Sequence, residues 1–347
     1  MTTAAQENRL PSTKSVGTTE TGFVTPIQAD LQAVEDLLAN EIRSDVRAAY
    51  EISGHTLKAG GKRLRPAAVI LSARAVERAF PARTIYASAG AVELIHMASL
   101  IHDDVVDGAD SRRGRPTANA AFGNQISVLV GDYLLAKSIY LAAREGNMDV
   151  ITIFSKVTVG LSEGEVLQIT SRGDADTSEA TYFDIIRRKT AGFISGCCEI
   201  GAVLAEASPD VVDALTGYGL SLGLAFQIAD DLLDFLGDPA VTGKPRCSDL
   251  REGKMTLPLI AAYRSLPDGS ARKRDIASWV QDPDALSDDR ARSICSLIDE
   301  YNGYEYARQS AVSLVDDAAR QVESVLPPSI YRDSLISLAN YALGRKF

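Results

Sequence analysis

Apolar residues recur at helical spacing along almost the whole chain. Leu31, Val34 and Leu38 open the pattern soon after Pro26, and similar three- and four-residue intervals continue almost to the C-terminus. The alternation of apolar and polar residues typical of strands is scarce. The breaks are short glycine- or proline-containing turns: Gly60-Gly61, Gly108, Gly114-Arg115-Pro116, Gly146-Asn147, Gly173-Asp174, Ser208-Pro209, Pro267-Asp268-Gly269 and Pro327-Pro328. The pattern predicts an all-α fold, a large single-domain helical bundle.

The N-terminal stretch lacks this periodicity. It is rich in Thr, Ser, Glu and Gln and contains no apolar segment of the kind found in signal peptides. We therefore predict a disordered tail over residues 1–26 and one all-helical domain over residues 27–347.

Composition narrows the functional classes. A formal net charge of -10 and a pI near 5.0 argue against a nucleic-acid-binding surface, which would need clustered basic residues. No uninterrupted apolar run approaches the roughly 18–20 residues of a spanning helix, so no transmembrane segment is expected. The 4 cysteines show no CxxC spacing, which favours a reducing compartment, the cytoplasm.

Two aspartate clusters of the same form interrupt apolar helical stretches. They are Asp103-Asp104-Val105-Val106-Asp107 and Asp230-Asp231-Leu232-Leu233-Asp234. On a helix that turns about 100° per residue, the first and last aspartates of each cluster lie one turn apart on nearly the same face. Like charges at this spacing destabilise a bare helix by roughly 0.2–0.5 kcal/mol per pair, and a hard divalent cation would offset that repulsion. One such cluster is ordinarily a solvated helix face. Two clusters embedded in apolar residues favour metal sites that line a cavity.

Basic residues gather close to these clusters in spite of the acidic total. Lys62-Arg63-Leu64-Arg65 follows a glycine pair, Arg112 and Arg113 follow the first cluster, and a polar loop with Lys244 and Lys254 follows the second. A diphosphate satisfies both kinds of residue, because Mg²⁺ can bridge carboxylate to phosphate oxygens while Arg and Lys donate charge-assisted hydrogen bonds. The loop is long enough to act as a lid over such an anion.

Together these motifs resemble those of the trans (head-to-tail) isoprenyl diphosphate synthases. The stretch from Glu93 to Asp107 with Arg112-Arg113-Gly114 is similar to the family's first aspartate-rich motif. Gly61 to Pro66, Lys189-Thr190 and Phe226 to Phe235 are similar to its other motifs, in the expected order. The resemblance extends from about residue 27 to the C-terminus. It implies an isoprenoid-synthase-type bundle around a deep central cavity, and a homodimer.

The resemblance also implies roles for individual residues. Isopentenyl diphosphate would be held by Lys62, Arg65, His96 and Arg113. Several Mg²⁺ ions would bridge the allylic diphosphate to the aspartates: Asp103, Asp104, Asp107, Asp230, Asp231 and Asp234. The second anion site would be completed by Arg112, Lys189 and Lys244, with Thr190 and Gln227 facing the carbocation that forms there. The residues expected to act directly in catalysis are Asp103, Asp107, Lys189, Thr190, Gln227 and Asp230.

The residues one turn before the first cluster bear on product length. In the resembling family a bulky aromatic residue there stops elongation early, whereas this chain has Ala98 and Ser99. We therefore expect a hexaprenyl or longer product, such as a quinone side-chain precursor, with geranylgeranyl diphosphate as the shorter alternative. Each added five-carbon unit could contribute roughly 3–4 kcal/mol of product affinity. Release of product into a detergent or by transient membrane contact should then speed turnover.

Other functions fit these motifs less well. A terpene cyclase would be expected to replace the second cluster by an Asn/Asp-Ser/Thr-Glu pattern. A non-catalytic partner subunit of a prenyl synthase would be expected to lack one cluster or the basic anchors. A calcium-binding helical module would be expected to show a glycine-containing EF-hand loop, which this sequence lacks.

Overall fold

The computed structural model describes residues 22–59, 61–77, 81–112, 114–237, 246–282 and 286–344. Its helices in chain order are α1 Gln28–Glu41, α2 Arg47–Lys58, α3 Leu64–Ala75, α4 Ala82–Val106, α5 Ala118–Phe122, α6 Asn124–Ala143, α7 Met148–Thr170, α8 Glu179–Ile186, α9 Gly192–Leu204, α10 Pro209–Leu236, α11 Ser248–Arg251, α12 Leu257–Ser265, α13 Ala271–Gln281, α14 Asp288–Glu300, α15 Gly303–Val325 and α16 Ile330–Leu343. A π-helical turn, Arg187–Ala191, joins α8 to α9. Within these residues the sole sheet pairs β1 Ser111–Arg112 with β2 Arg115–Pro116, antiparallel. The predicted all-α class is confirmed.

The described residues start before the predicted domain boundary. Gly22–Ile27 form a 3₁₀ helix in which Phe23 and Ile27 are buried. The Phe23 ring lies 5.3 Å from the ring of Tyr341 in the last helix. The boundary between residues 26 and 27 therefore falls inside a helix that is tied into the core by an apolar side chain. Residues 1–21 lie outside the described part, and their disorder stays a prediction.

Local sequence signals explain where several helices begin. The Asn147 side chain accepts hydrogen bonds from the N–H groups of Asp149 and Val150, at 3.0 and 3.1 Å, and so caps α7. Ser178 caps α8 in the same way through Thr181, at 3.0 Å. Pro209 stands in the first turn of α10, where its missing N–H costs nothing.

The two helices that carry the aspartate clusters run through the main core. α4 packs against α6 and α3, and α10 packs against α9 and α15. The approach of α9 to α10 is very close, because a Cβ added at Gly219 would lie 2.7 Å from the Cα of Ser195. A second apolar core joins α8, the end of α10 and the helices from α11 to the start of α15. The clusters are thus mounted on rigid, buried supports.

Two helices carry large apolar side chains on the outside. The exposed ones on α6 and α7, referred to below as the outer face, are Val128, Leu129, Ile139, Tyr140, Met148, Val159, Val166 and Ile169.

Three described helices, α4, α6 and α10, are long and apolar enough to cross a membrane when judged by length and composition alone. Most of the apolar stretch of α4 is buried inside the protein. In α6 and α10, less than half of the apolar stretch is buried. The absence of a membrane-spanning segment stays a prediction.

Candidate active site

The C-terminal ends of α4 and α10 face a single cavity of about 950 Å³. α7 and the π-helical turn supply further lining residues, as do the segment before α3 and Tyr341 of α16. π-helical turns are frequent at functional sites. Here the turn brings Lys189 and Thr190 to the cavity. Most of the predicted site residues meet in this one space.

The aspartates of the first cluster lie in two different environments. Asp103 and Asp107 line the cavity, but Asp104 does not. Its side chain is 5% exposed, and Arg112 Nε donates to its Oδ1 at 2.8 Å. The predicted metal role of Asp104 is therefore corrected, because its carboxylate faces Arg112 across the turn that follows α4. Arg112 lines the cavity as predicted, and it also forms an ion pair with Asp104.

The second cluster is also divided. Asp230 is exposed to the cavity, whereas Asp231 is buried and accepts hydrogen bonds from Tyr182 Oη at 2.7 Å and Gln227 Nε2 at 2.9 Å. Asp234 accepts from the N–H of Ser248 at 3.0 Å and of Asp249 at 3.2 Å. The oxygens of Asp231 and Asp234 line the cavity but already serve protein donors. Asp230 is exposed and lines the cavity, so a ligand there can reach its carboxylate.

The cavity perturbs its acids in different directions. Burial raises the pKa of Asp103 to about 6, although Lys189 opposes the shift. Burial also raises the pKa of Asp234 to about 6, with the Asp249 charge adding to the effect. For Asp107 burial acts upward, but the hydrogen bond from Arg172 and the charge of Lys254 outweigh it, so the pKa lies below its usual value. A carboxyl with a raised pKa gains most from a nearby cation.

Two cations near the first cluster pair with acids, and one of these acids, Glu165, was not singled out by the sequence analysis. Lys189 forms an ion pair with Glu165, and Arg172 Nη2 donates to Asp107 at 2.7 Å. Gln168 also lines the cavity. Glu165 and Gln168 lie three residues apart on α7, and Arg172 lies just past the end of that helix at Thr170. A polar face on an otherwise apolar helix was the signal that could have identified them.

Lys254 belongs to the cavity and not to the solvent. Its ammonium pairs with Glu252 at 2.5 Å and Asp249 at 3.4 Å. Burial lowers its pKa, but these carboxylates more than compensate and raise the pKa above its usual value. The structure places this lysine among the cavity cations.

A second group of cations lies at the segment before α3. Lys62, Arg65 and His96 all line the cavity, and Lys62 bonds to the hydroxyl of Tyr341. The Arg65 guanidinium stacks 4.7 Å from the centre of the Phe193 ring, and burial lowers its pKa. Arg113 and Lys244 lie outside the described residues, so their roles stay predictions.

Arg63 is held differently from its neighbours. It has a left-handed backbone, with φ of 48°, and its guanidinium pairs with Glu35 and, at 2.7 Å, with Glu93. The two ion pairs fix the turn that aims Lys62 and Arg65 at the cavity.

Thr190 of the π-helical turn and Gln227 of α10, both predicted site residues, are linked by a hydrogen bond. Thr190 Oγ1 donates to Gln227 Oε1 at 2.8 Å, and Gln227 donates onward to Asp231. This fixes the Gln227 amide with its oxygen towards Thr190.

Of the two residues predicted to control product length, one lines the cavity and the other does not. Ser99 lines the cavity and donates to the His96 carbonyl at 2.9 Å. Ala98 is 2% exposed, packs in the main core and does not line the cavity. The prediction for Ala98 as a lining residue is corrected, because adjacent helical residues point about 100° apart.

The acids suit a metal that arrives with its substrate. Among the described residues no three His, Cys, Asp or Glu side chains stand close enough to form a metal site alone. Mg²⁺ is usually held by one or two carboxylates together with substrate phosphates and water. Asp103, Asp107 and Asp230 offer hard oxygen ligands in one cavity, beside cations that suit a diphosphate. The residues present therefore fit a shared metal–diphosphate site.

Comparison with known proteins identifies the family. A sequence profile of the polyprenyl synthetase family matches residues 46–295. The chain belongs to this family. The chain is 40% identical to a prenyl transferase from Synechocystis sp. over 332 residues, which are 94% of this chain and 98% of that protein. It is 35% identical to the octaprenyl diphosphate synthase of Escherichia coli over 317 residues, 91% of this chain and 96% of that protein.

A solved structure agrees. The crystal structure of a decaprenyl diphosphate synthase from Rhodobacter capsulatus matches with a TM-score of 0.88 at 37% identity, covering 94% of this chain and 99% of that chain. The predicted family and isoprenyl-synthase-type fold are confirmed, as is the prediction that the chain is a prenyl-transferring enzyme. The predicted cytoplasmic location and homodimer stay predictions.

Proposed function

We propose that the enzyme condenses isopentenyl diphosphate with an allylic diphosphate, repeatedly, to an all-trans polyprenyl diphosphate of six or more isoprene units. One observation carries the proposal: a single cavity joins Asp103, Asp107 and Asp230 to two groups of cations. Two anionic substrates need two such groups. The group formed by Arg172, Lys254 and Lys189 acts directly on Asp107.

The allylic diphosphate belongs at the acidic end. Lys189, Arg172 and Lys254 can donate charge-assisted hydrogen bonds to it. Their present partners, among them Glu165 and Asp107, hold these side chains in place before the substrate arrives. Mg²⁺ held by Asp103, Asp107 and Asp230 would offset the charge that develops on this diphosphate as it leaves.

Isopentenyl diphosphate belongs at the Lys62 end. Its diphosphate does not leave, so it needs anchoring cations and no metal. Lys62, Arg65 and His96 supply donors, and the Arg63 ion pairs keep the segment in position. This separation lets one substrate ionise while the other is held intact.

Ionisation of the allylic C–O bond leaves a delocalised cation. The Thr190 and Gln227 oxygens are dipoles that can stabilise positive charge without capturing it. The double bond of isopentenyl diphosphate then attacks the allylic cation, and a new C–C bond forms between the two substrates. A proton leaves the adjacent carbon for an oxygen of the released diphosphate, which restores an allylic product for the next cycle.

Product length follows from the cavity wall below the acids. Ser99 is small and lines the cavity, and it is accompanied by the apolar Met97, Leu100, Leu161 and Phe226. The matched proteins named above include an octaprenyl and a decaprenyl diphosphate synthase. These observations favour a long product over geranylgeranyl diphosphate.

The assay is direct. Purified protein is incubated with Mg²⁺, labelled isopentenyl diphosphate and allylic primers of increasing length, and the products are sized. We expect products of six or more units, and no turnover once the metal is chelated. Predominant twenty-carbon product would favour the shorter alternative. No product with any primer would favour a non-catalytic partner subunit.

We also propose that the outer face of α6 and α7 is the contact between two copies of the chain. Exposed apolar patches of this kind ordinarily mark protein interfaces. Their position behind α4 would let the dimer support the helix that carries the first cluster.

A further inference from the structure

Two cysteines far apart in sequence meet beside the second cluster. The Sγ atoms of Cys247 and Cys295 lie 3.3 Å apart, and both thiols are free. Cys247 immediately precedes α11 and is 2% exposed, whereas Cys295 on α14 is partly exposed. The other two cysteines, Cys197 and Cys198, are buried in α9.

The segment that contains Cys247 holds the end of α10. The Cys247 N–H donates to the Asp234 carbonyl at 2.9 Å, and Ser248 and Asp249 donate to the Asp234 carboxylate. Arg246 Nε donates to the Gly237 carbonyl at 2.9 Å. Arg246 and Asp249 both line the cavity. A displacement of Cys247 would therefore reach the acidic end of the cavity directly.

We propose that Cys247 and Cys295 form a dithiol site that a small-molecule disulfide oxidises, and that the resulting bond lowers the activity of the enzyme. Cys295 is the accessible sulfur and attacks the small disulfide first. The S–S bond of the small disulfide breaks, and one small thiol leaves with the proton from Cys295. A mixed disulfide between Cys295 and the other half of the small disulfide remains. Cys247 then attacks the Cys295 sulfur and releases the second small thiol. The protein loses two hydrogen atoms, and the small disulfide gains them.

The bond has to move the cavity wall. A disulfide places its sulfurs about 2.05 Å apart, so the two atoms must approach each other by roughly 1 Å. Cys247 is buried in the second core and Cys295 packs against it, so any part of this movement that Cys247 makes acts on its hydrogen bond to Asp234. Its hydrogen bond to Asp234 and those of Ser248 and Asp249 are then strained. In reducing compartments, disulfides are usually transient and regulatory, which suits a reversible site.

The test uses the full-length protein and glutathione as the probe. Reduced protein is equilibrated with mixtures of oxidised and reduced glutathione, and the remaining free thiols are then blocked. The mass of the intact protein is measured, and the protein is digested into peptides. We expect a protein lighter by two hydrogen atoms and a peptide that joins Cys247 to Cys295. We expect kcat/KM for the allylic primer to fall at least fivefold and to recover with dithiothreitol.

Variants of the outer cysteine separate the steps. Cys295→Ser should keep its activity when reduced and should lose none on oxidation, whereas Cys198→Ala should respond as the unaltered protein does. Cys295→Ala replaces the serine variant if that variant does not fold. No Cys247–Cys295 peptide even in fully oxidised glutathione overturns the site. A bond without loss of activity, or a loss that persists in the Cys295 variant, overturns its effect.

The activity readout depends on the proposed function, but mass and peptide readouts do not. A reduced enzyme that forms the bond and yet never transfers a prenyl group would overturn the proposed function and leave the dithiol site standing.

Discussion

Asp103 and Asp104 are neighbours with opposite environments. A rotation of about 100° along α4 turns Asp103 into the cavity and Asp104 towards Arg112. In the sequence they form one acidic run. In the fold one carboxylate is available to a ligand and the other stabilises the turn after α4.

This difference gives a matched set of substitutions. Asp103→Asn and Asp230→Asn should each lower kcat/KM by roughly 10²–10³-fold, because each removes a charged oxygen from the reacting end. Asp104→Asn makes the same charge change and should retain most activity. It should instead lower the free energy of unfolding by about 1–2 kcal/mol, because Arg112 loses a charged partner. Steady-state kinetics and urea unfolding measure the two effects. Equal loss of activity in all three variants would contradict the assignment.

The raised pKa of Asp103 predicts competition between protons and metal. Its pKa of about 6 lies above the usual value, so the folded protein binds this proton more tightly than the unfolded chain does. Ionisation between about pH 4 and pH 6 therefore costs stability in the metal-free protein, and bound metal should recover it. The increase in Tm caused by Mg²⁺ with inorganic diphosphate should be larger near pH 7.5 than near pH 5.

The control for this prediction is Asp103→Asn. The charges that act on Asp103, namely Lys189, Glu165, Asp107 and Arg112, remain in that variant. It should show a smaller increase in Tm and a weaker dependence on pH. An unchanged pH dependence would assign the effect to another group, such as Asp234.

At the scale of elements, the rotation of α4 decides which residue limits product length. Ser99→Tyr should place a ring in the cavity and shorten the product by several isoprene units. Ala98→Tyr should instead overpack the main core and cost about 1–3 kcal/mol of stability. Product sizing together with thermal unfolding separates the two. A shorter product from Ala98→Tyr alone would show that the growing chain runs along the other face of α4.

The contact between α9 and α10 allows a second test at this scale. Gly219→Ala would place its Cβ 2.7 Å from the Cα of Ser195, so the helices must separate. We expect a loss of about 1–3 kcal/mol in urea unfolding. The matched control is Gly54→Ala in α2, where nothing lies within 4 Å of the added carbon. That variant should gain about 0.5–1 kcal/mol, because alanine favours the helix. Similar effects at both positions would contradict the close packing.

At the scale of the whole molecule, the outer face predicts the oligomeric state. Leu129 and Val166 are 66% and 61% exposed on α6 and α7. Leu129→Glu combined with Val166→Glu should convert a dimer to monomers in sedimentation velocity, because charges at an apolar interface lose their hydration. Ile330→Glu on α16, at 61% exposure, is the matched control and should leave the dimer intact. A protein that is monomeric before substitution would refute the proposed interface.

Much of the site follows from local sequence. Asp103, Asp107, Asp230, Lys62, Arg65, His96, Lys189, Thr190 and Gln227 were all predicted, and the structure brings them to one cavity. Glu165, Gln168 and Arg172 were missed. Glu165 and Gln168 form only a short polar stretch on α7, and they join the site because α7 packs beside the π-helical turn.

The sequence by itself determined the helical class, the positions of the acidic and basic motifs, and the family. These properties depend on helical periodicity and on residue chemistry over short stretches, which are local. The tertiary structure decided which aspartates line the cavity, which of Ala98 and Ser99 faces it, and that Cys247 meets Cys295. Those outcomes depend on the rotation of each helix about its axis and on contacts between distant segments, and both are fixed only when the cores pack.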